Sequence, residues 1–97
     1  ANARLIRKDA NGALLLAREA ETLSRKLLEK DASNLQYRTN LGFSMSSVGG
    51  ALAAMGNGRG ACTARREALR LLEGDTMQFV EREDLEEIRK SLAGCAE

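Results

Sequence analysis

The chain has 97 residues and a mass of 10.5 kDa, which is the size of one small domain. It is 43% hydrophobic and 30% charged and contains no proline, so a disordered or collagen-like chain is excluded. Histidine is also absent, which excludes every site that needs an imidazole base or metal ligand. We therefore expect a single soluble α-helical domain.

The charges are unevenly distributed along the chain, although the net charge is only +1. Residues 1–70 carry twelve basic and six acidic side chains, whereas residues 71–97 carry three and eight. No carboxylate lies between Ala32 and Arg66, a segment that also contains Arg38, Arg59 and Arg65. This basic middle could attract the acidic tail or an anionic partner.

The first part of the chain is predicted to be helical, because it is rich in Ala, Leu, Arg and Glu and shows no strand pattern. Residues 1–9 are predicted to end one helix, with a break near Asp9 to Gly12. A second helix is predicted over residues 12–30. Its apolar stripe consists of Ala13, Leu16, Ala20, Leu23 and Leu27.

The clearest periodicity lies in the middle of the chain and predicts a helix over residues 34–56. Its stripe consists of Leu41, Met45, Val48, Leu52 and Met55. Ser33 followed by Gln36 matches a capping box at its start. The glycine-rich run from Gly56 to Gly60 predicts a tight turn at its end.

Two further helices are predicted over residues 60–73 and 76–94. The first carries Ala61, Ala64, Ala68, Leu71 and Leu72, and the second carries Leu85, Ile88, Leu92 and Cys95. Gly74 is expected to separate them, and Asp75 with Gln78 to cap the last helix.

The two cysteines and the longest apolar run bear on the location of the protein. Cys62 and Cys95 are far apart in the sequence, and two cysteines do not form a disulfide framework, so we expect free thiols. The longest apolar run, residues 13–17, is far shorter than the ~20 residues of a membrane span. We expect a cytoplasmic protein that does not enter a membrane.

The sequence contains an internal repeat. The segment from Leu27 to Asp31 recurs as Leu71 to Asp75 at a shift of 44 residues. Upstream, the shift is 48 residues. It aligns Ala13 with Ala61, Ala20 with Ala68 and Leu23 with Leu71. The difference of four residues is about one helical turn, so the apolar face keeps its phase.

This repeat resembles the tetratricopeptide (TPR) family in a stretched variant of about 44 residues. The resemblance rests on a central set of small and large apolar positions, Val48, Gly49, Leu52, Gly56, Asn57, Ala61 and Ala68. The departures are a longer unit, Arg65 in place of an aromatic residue and a missing proline. The resemblance implies antiparallel helical hairpins in a right-handed superhelix that bind proteins, within a larger bacterial regulatory or signalling protein.

The sequence does not favour catalysis, a metal or a cofactor. The carboxylates between Glu81 and Glu87 fit a solvated helix face, because no histidine is present to complete a metal site. The glycine run from Gly56 follows no strand, so a nucleotide cradle is not indicated. Few aromatic residues are available for base stacking, so nucleic acid is not the expected partner.

Two surfaces are candidates for binding. In the family that the chain resembles, one flank of the inner helix lines a groove for a peptide or helix, and here that flank consists of Gln36, Asn40, Phe43, Ser47, Gly50 and Ala54. Phe43 would be an apolar anchor there, or would instead pack on residues 13–23 and fill the groove. The alternative is a four-helix bundle that dimerises or binds an anionic ligand through Arg59, Arg65, Arg66 and Arg70. Because so few repeat helices are present, we also expect self-association.

Overall fold

The computed structural model describes residues 2–74 and 79–95, with side chains from Asp9 onwards. These residues form the helices α1 (Asn2–Lys30), α2 (Leu35–Ala54), α3 (Gly58–Leu72) and α4 (Arg82–Leu92). No strand occurs in the described ranges, so the all-α prediction is confirmed. Helix α2 packs against both α1 and α3, and α3 packs against α4. None of the described helices is both long and apolar enough to cross a membrane.

Helix α1 is continuous through Gly12, so the predicted break near Asp9 to Gly12 is wrong. A glycine inside a helix costs only about 1 kcal/mol relative to alanine. The turn that precedes it also has a packing partner, because Ala10 is 94% buried beside the end of α2. Burial of this turn stabilises the helical conformation and offsets the cost of Gly12.

The buried face of α1 is not the predicted one. Ala10, Ala17 and Ser24 are buried, whereas Leu16 and Leu23 are 68% and 60% exposed. Helix α1 has a second apolar stripe, in which these small buried residues alternate with the partly buried Leu14 and Leu28, and α2 packs on this one. The small residues let the helix backbones approach closely. The predicted stripe of Ala13, Leu16, Ala20, Leu23 and Leu27 therefore points largely to solvent.

The start of α2 is capped by Asn34 rather than by Ser33. The Asn34 side chain accepts a hydrogen bond of 3.0 Å from the Tyr37 backbone N–H, which satisfies one of the unpaired donors of the first turn. The Ser33 hydroxyl instead donates to the Asp31 carboxylate. The predicted capping box of Ser33 and Gln36 is thus displaced by one residue, since serine and asparagine are both good caps.

The core lies between α2 and α3. The predicted stripe residues Leu41, Met45, Val48 and Leu52 are buried against Ala61, Ala64, Ala68 and Leu71 of α3. The connection is the predicted tight turn: Gly56 takes a left-handed conformation with φ of +84°, and Asn57 then caps α3 by accepting from the Gly60 N–H. This single turn places α3 antiparallel to α2, with small residues at the contact.

The C-terminal part packs on the end of α3 through a second apolar cluster. Leu72, Val80, Leu85 and Ile88 form this cluster and are nearly completely buried. Gly74 follows α3 with φ of +80°, as expected for a helix boundary. Helix α4 begins only at Arg82, after Phe79 to Glu81, and the predicted cap pair of Asp75 and Gln78 lies outside the described residues.

A disulfide joins Cys62 of α3 to Cys95 after α4, with their Cα atoms 5.8 Å apart. The prediction of free thiols is therefore wrong. The sequence separation of 33 residues hides the pairing, because the two residues meet only when α4 folds back along α3. Together with the Leu72 cluster and the ion pair between Arg89 and Glu73, the disulfide holds α4 in place.

Candidate functional site

A cleft of about 450 Å³ lies between α1 and α3, with α2 as its floor. Helix α1 contributes two arginines, and α2 contributes two apolar side chains. Helix α3 and its cap residue contribute small and polar residues. The lining residues are Arg18, Arg25, Met45, Leu52, Asn57, Gly60, Thr63, Ala64 and Glu67. The cleft exists because α1 and α3 both pack on α2 and leave a gap between them.

The floor of the cleft is apolar and its rim is charged. Met45 and Leu52 are 7% and 8% exposed, so each presents a small apolar area to the gap. On the rim, Glu21 accepts from Arg18 at 2.9 Å and from Arg25 at 3.0 Å. Arg25 also reaches across to donate to the Met45 sulfur at 3.6 Å. One carboxylate thus orders two arginines along one edge of the gap.

The same three residues shift the pKa of the Glu21 carboxyl. Partial burial raises this pKa, but the hydrogen bonds and charges of Arg18 and Arg25 lower it by more, and the net pKa lies below its ordinary value of 4.5. Glu21 is therefore ionised at neutral pH and keeps both arginines in position.

The predicted α2 flank is mostly exposed, as a binding surface requires. Gln36, Asn40, Ser47, Gly50 and Ala54 are exposed, but Phe43 is partly buried against the cluster that contains Leu72 and Leu85. Phe43 is therefore not a free anchor. The contact that the structure shows for Phe43 is with the C-terminal cluster rather than with residues 13–23.

One end of this flank forms a shallow recess with α1. Gly50, Ala51 and Ala54 line it from α2, and Asp9, Ala10 and Ala13 line it from α1, with a volume of about 410 Å³. The structure thus places Gly50 and Ala54 at this recess and Phe43 at the C-terminal cluster.

The four arginines of the alternative surface lie in different environments. Arg70 forms an ion pair with Glu67 that raises the Arg70 pKa. Arg65 packs closely on α2, since a Cβ added to Gly49 would lie 2.8 Å from its Cγ. Arg59 and Arg66 share a recess of about 310 Å³ with Cys62, Thr63 and Gly94.

Acidic residues of the C-terminal part stabilise helix α4 through its dipole. Glu83 and Asp84 lie in its first turn, where negative charge is favourable, and Arg89 and Lys90 lie in its last turn. Within the described parts of the chain, no three His, Cys, Asp or Glu side chains come together in a group that could hold a metal ion.

Comparisons with family models, with curated proteins and with solved structures find no match to this chain. The sequence reasoning missed the cleft between α1 and α3. A signal for its rim is present, because Arg18, Glu21 and Arg25 are spaced by three and four residues and so share one side of a helix. What the sequence does not show is that this side faces α3 rather than solvent.

Proposed function

We propose that this chain is a non-catalytic protein-interaction module, resembling a TPR-like helical repeat, and that it acts as a scaffold within a larger bacterial regulatory or signalling protein. The observation that supports this proposal is the cleft between α1 and α3, with an apolar floor and an ordered charged rim. An open cleft of this kind fits one or two side chains of a docked peptide or helix.

The chemistry of the cleft favours a partner with an apolar residue next to an acidic one. The apolar side chain would contact Met45 and Leu52 on the floor. A guanidinium has five N–H donors, and the ion pairs with Glu21 use only some of those of Arg18 and Arg25. The remaining donors support the proposal that a carboxylate of the partner binds here, because a guanidinium forms strong charge-assisted hydrogen bonds with a carboxylate.

Selection of binders from a random peptide library on the purified, oxidised protein tests this proposal. We expect the enriched peptides to combine an aromatic or aliphatic residue with Asp or Glu. Their binding should shift the NMR signals of Met45 and Leu52. Thr63→Trp should abolish binding, because Thr63 is exposed and a large side chain there fills the cleft. Thr63 also lines the recess of Arg59 and Arg66, so the shifts of Met45 and Leu52 and the salt dependence given below distinguish the two sites.

The matched control is Glu87→Trp, which places the same side chain on an exposed position of α4 away from the cleft. It should leave peptide affinity unchanged. The proposal is wrong if no peptide is enriched, or if the enriched peptides shift signals only on the α2 flank around Asn40 and Ser47.

An anionic ligand is the second candidate, because Arg59 and Arg66 share one recess. Binding there should weaken steeply between low and physiological salt, whereas binding on the apolar floor of the cleft should change little. Titration of a polyphosphate at two salt concentrations separates the two candidates. The cytoplasmic location stays a prediction, and the Cys62–Cys95 disulfide favours an oxidising compartment.

A further inference from the structure

The outward side of α1 carries a regular apolar stripe that is exposed except for Leu27, which is partly buried. We name Ala13, Leu16, Ala20, Leu23 and Leu27 the outer stripe. Leu16 and Leu23 are 68% and 60% exposed, and both alanines are exposed. The spacing of three and four residues repeats over two heptads, which is the pattern of a helix that packs along its length on another helix.

The internal repeat indicates that the outer stripe is built as a packing face. At the shift of 48 residues, Ala13, Ala20 and Leu23 correspond to Ala61, Ala68 and Leu71 on α3. Those three residues are 1%, 0% and 5% exposed because α3 packs on α2. No helix of the described residues packs on the same pattern of α1, so the face that is buried in one repeat is exposed in the other.

We propose that a second copy of this chain covers the outer stripe, with its own α1 packed antiparallel, to form a symmetric dimer. In the register that pairs opposite charges across the interface, Ala20 lies opposite Leu23 of the second copy, and Leu16 lies opposite Leu27. Ala20 and Leu23 then form a pair of a small and a large side chain, Leu16 and Leu27 form a pair of leucines, and Ala13 lies opposite Lys30 at the end of the seam. Two-fold symmetry makes every one of these contacts occur twice.

Charge patterning selects this occupant and this register. Glu19 and Lys26 each precede a stripe residue, on the solvent side of the stripe, and both are exposed. In the antiparallel register, Glu19 lies beside Lys26 of the second copy, which gives two identical ion pairs. Neither residue forms an ion pair with a described residue of its own chain, so both are available.

The dimer leaves the cleft accessible, because the outer stripe and the cleft lie on different sides of α1. Arg18 and Arg25 line the cleft, and neither belongs to the outer stripe. The side of α2 next to the stripe is lined by Gly50 and Ala54, whose short side chains leave room for a second helix. Dimerisation therefore does not depend on the function proposed above for the cleft.

A charge swap measured by sedimentation equilibrium tests the register. Glu19→Lys alone and Lys26→Glu alone should each weaken the dimer by about threefold to tenfold, because each change creates two like-charge contacts. The double variant E19K/K26E should restore the wild-type dissociation constant. The protein is used with the Cys62–Cys95 disulfide closed, as checked on a non-reducing gel, so that intermolecular disulfides do not contribute.

A second pair of variants tests the stripe itself. Leu23→Glu should raise the dissociation constant by at least about tenfold, because it places a charge in the apolar seam. Phe79→Glu is the matched control, since Phe79 is also an exposed large apolar side chain, at 47%, but lies in the C-terminal part of the chain and not on α1. Both positions are exposed, so both variants should keep wild-type helicity by circular dichroism.

Three outcomes overturn the proposal: a wild-type protein that stays monomeric up to about 1 mM, equal effects of Phe79→Glu and Leu23→Glu, or no rescue by the charge swap. The cleft is tested separately, because Thr63→Trp should leave dimerisation intact and Leu23→Glu should leave peptide binding intact.

Discussion

Gly42 of α2 lies so close to Leu72 of α3 that a Cβ atom added to Gly42 would be 2.6 Å from both Cγ and Cδ2 of the leucine. Leu72 is completely buried and belongs to the cluster that anchors α4, so it has no space to move away. The contact therefore couples the α2–α3 core to the C-terminal part of the chain.

Gly42→Ala should destabilise the protein. Overpacking of a core costs about 1–3 kcal/mol, which exceeds the gain of about 1 kcal/mol from replacing a helical glycine by alanine. The control is Gly50→Ala, where the added Cβ meets nothing within 4 Å and the gain of about 0.5–1 kcal/mol is kept. Urea unfolding should show opposite signs for the two variants. Two stabilised variants would show that Leu72 moves aside easily.

Arg38 forms hydrogen bonds within the fold, although the sequence shows it only as part of a basic segment without carboxylates. Its Nε donates to the Leu71 carbonyl at 3.2 Å, and its Nη2 donates to the Arg70 carbonyl at 3.3 Å. Arg38→Met keeps the aliphatic stem but removes these donors and the charge at the C-terminal end of α3. We expect a loss of about 1–2 kcal/mol in the free energy of unfolding.

Arg59→Met is the matched control, because Arg59 is exposed and lies in the first turn of α3, where a positive charge is not favoured by the helix dipole. Its stability by urea unfolding should equal or slightly exceed that of the wild type. Equal stability of the Arg38 variant and the wild type would contradict a capping role.

The sequence predicts the buried face of a helix correctly where the helix has only one apolar face. The stripes of α2 and α3 come out as predicted because each helix has only one clear apolar face, and the two faces pack on each other. Helix α1 has two such faces, and hydrophobicity favours the one with Leu16 and Leu23. The structure buries the other, because Ala10 and Ala17 allow a closer approach to α2.

The remaining differences come from information that is not local in sequence. Cys62 and Cys95 meet only through the folding of α4 onto α3, and no spacing rule predicts such a pair. Phe43 is on the predicted flank of α2, but it is partly buried by the C-terminal cluster. The periodicity of α2 alone does not predict this contact, because the cluster comes from a later part of the chain. Phe43→Glu would therefore change the fold as well as the surface.

The disulfide should contribute a large share of the stability of this small domain. It closes a loop with a sequence separation of 33 residues, which corresponds to about 3–4 kcal/mol in the chain-entropy description. Cys62→Ala/Cys95→Ala should lose about 2–4 kcal/mol in urea unfolding. A reductant should lower the wild type to the level of this variant and leave the variant itself unchanged. Insensitivity of the wild type to reductant would show that the thiols are not joined.

The ion pairs of Glu21 should make stability depend on pH in the acidic range. The folded-state pKa of Glu21 lies below the ordinary value of 4.5, so the folded state binds this proton less readily than the unfolded chain does. The stabilisation is thus fully present above the ordinary pKa and is lost as the pH falls through the lowered one. We expect Glu21→Gln to cost about 0.5–1 kcal/mol at pH 7 and almost nothing at acidic pH below both pKa values.

Urea unfolding of both proteins over the acidic range checks this sign, because the two stability curves should converge as the pH falls. The matched control is Glu29→Gln, an exposed carboxylate on the same helix that forms no ion pair with a described residue. Its curve should stay parallel to the wild type. A Glu21→Gln curve that is likewise parallel at every pH would mean that Arg18 and Arg25 do not favour the ionised form of Glu21, and the ordered rim of the cleft would then lose its physical basis.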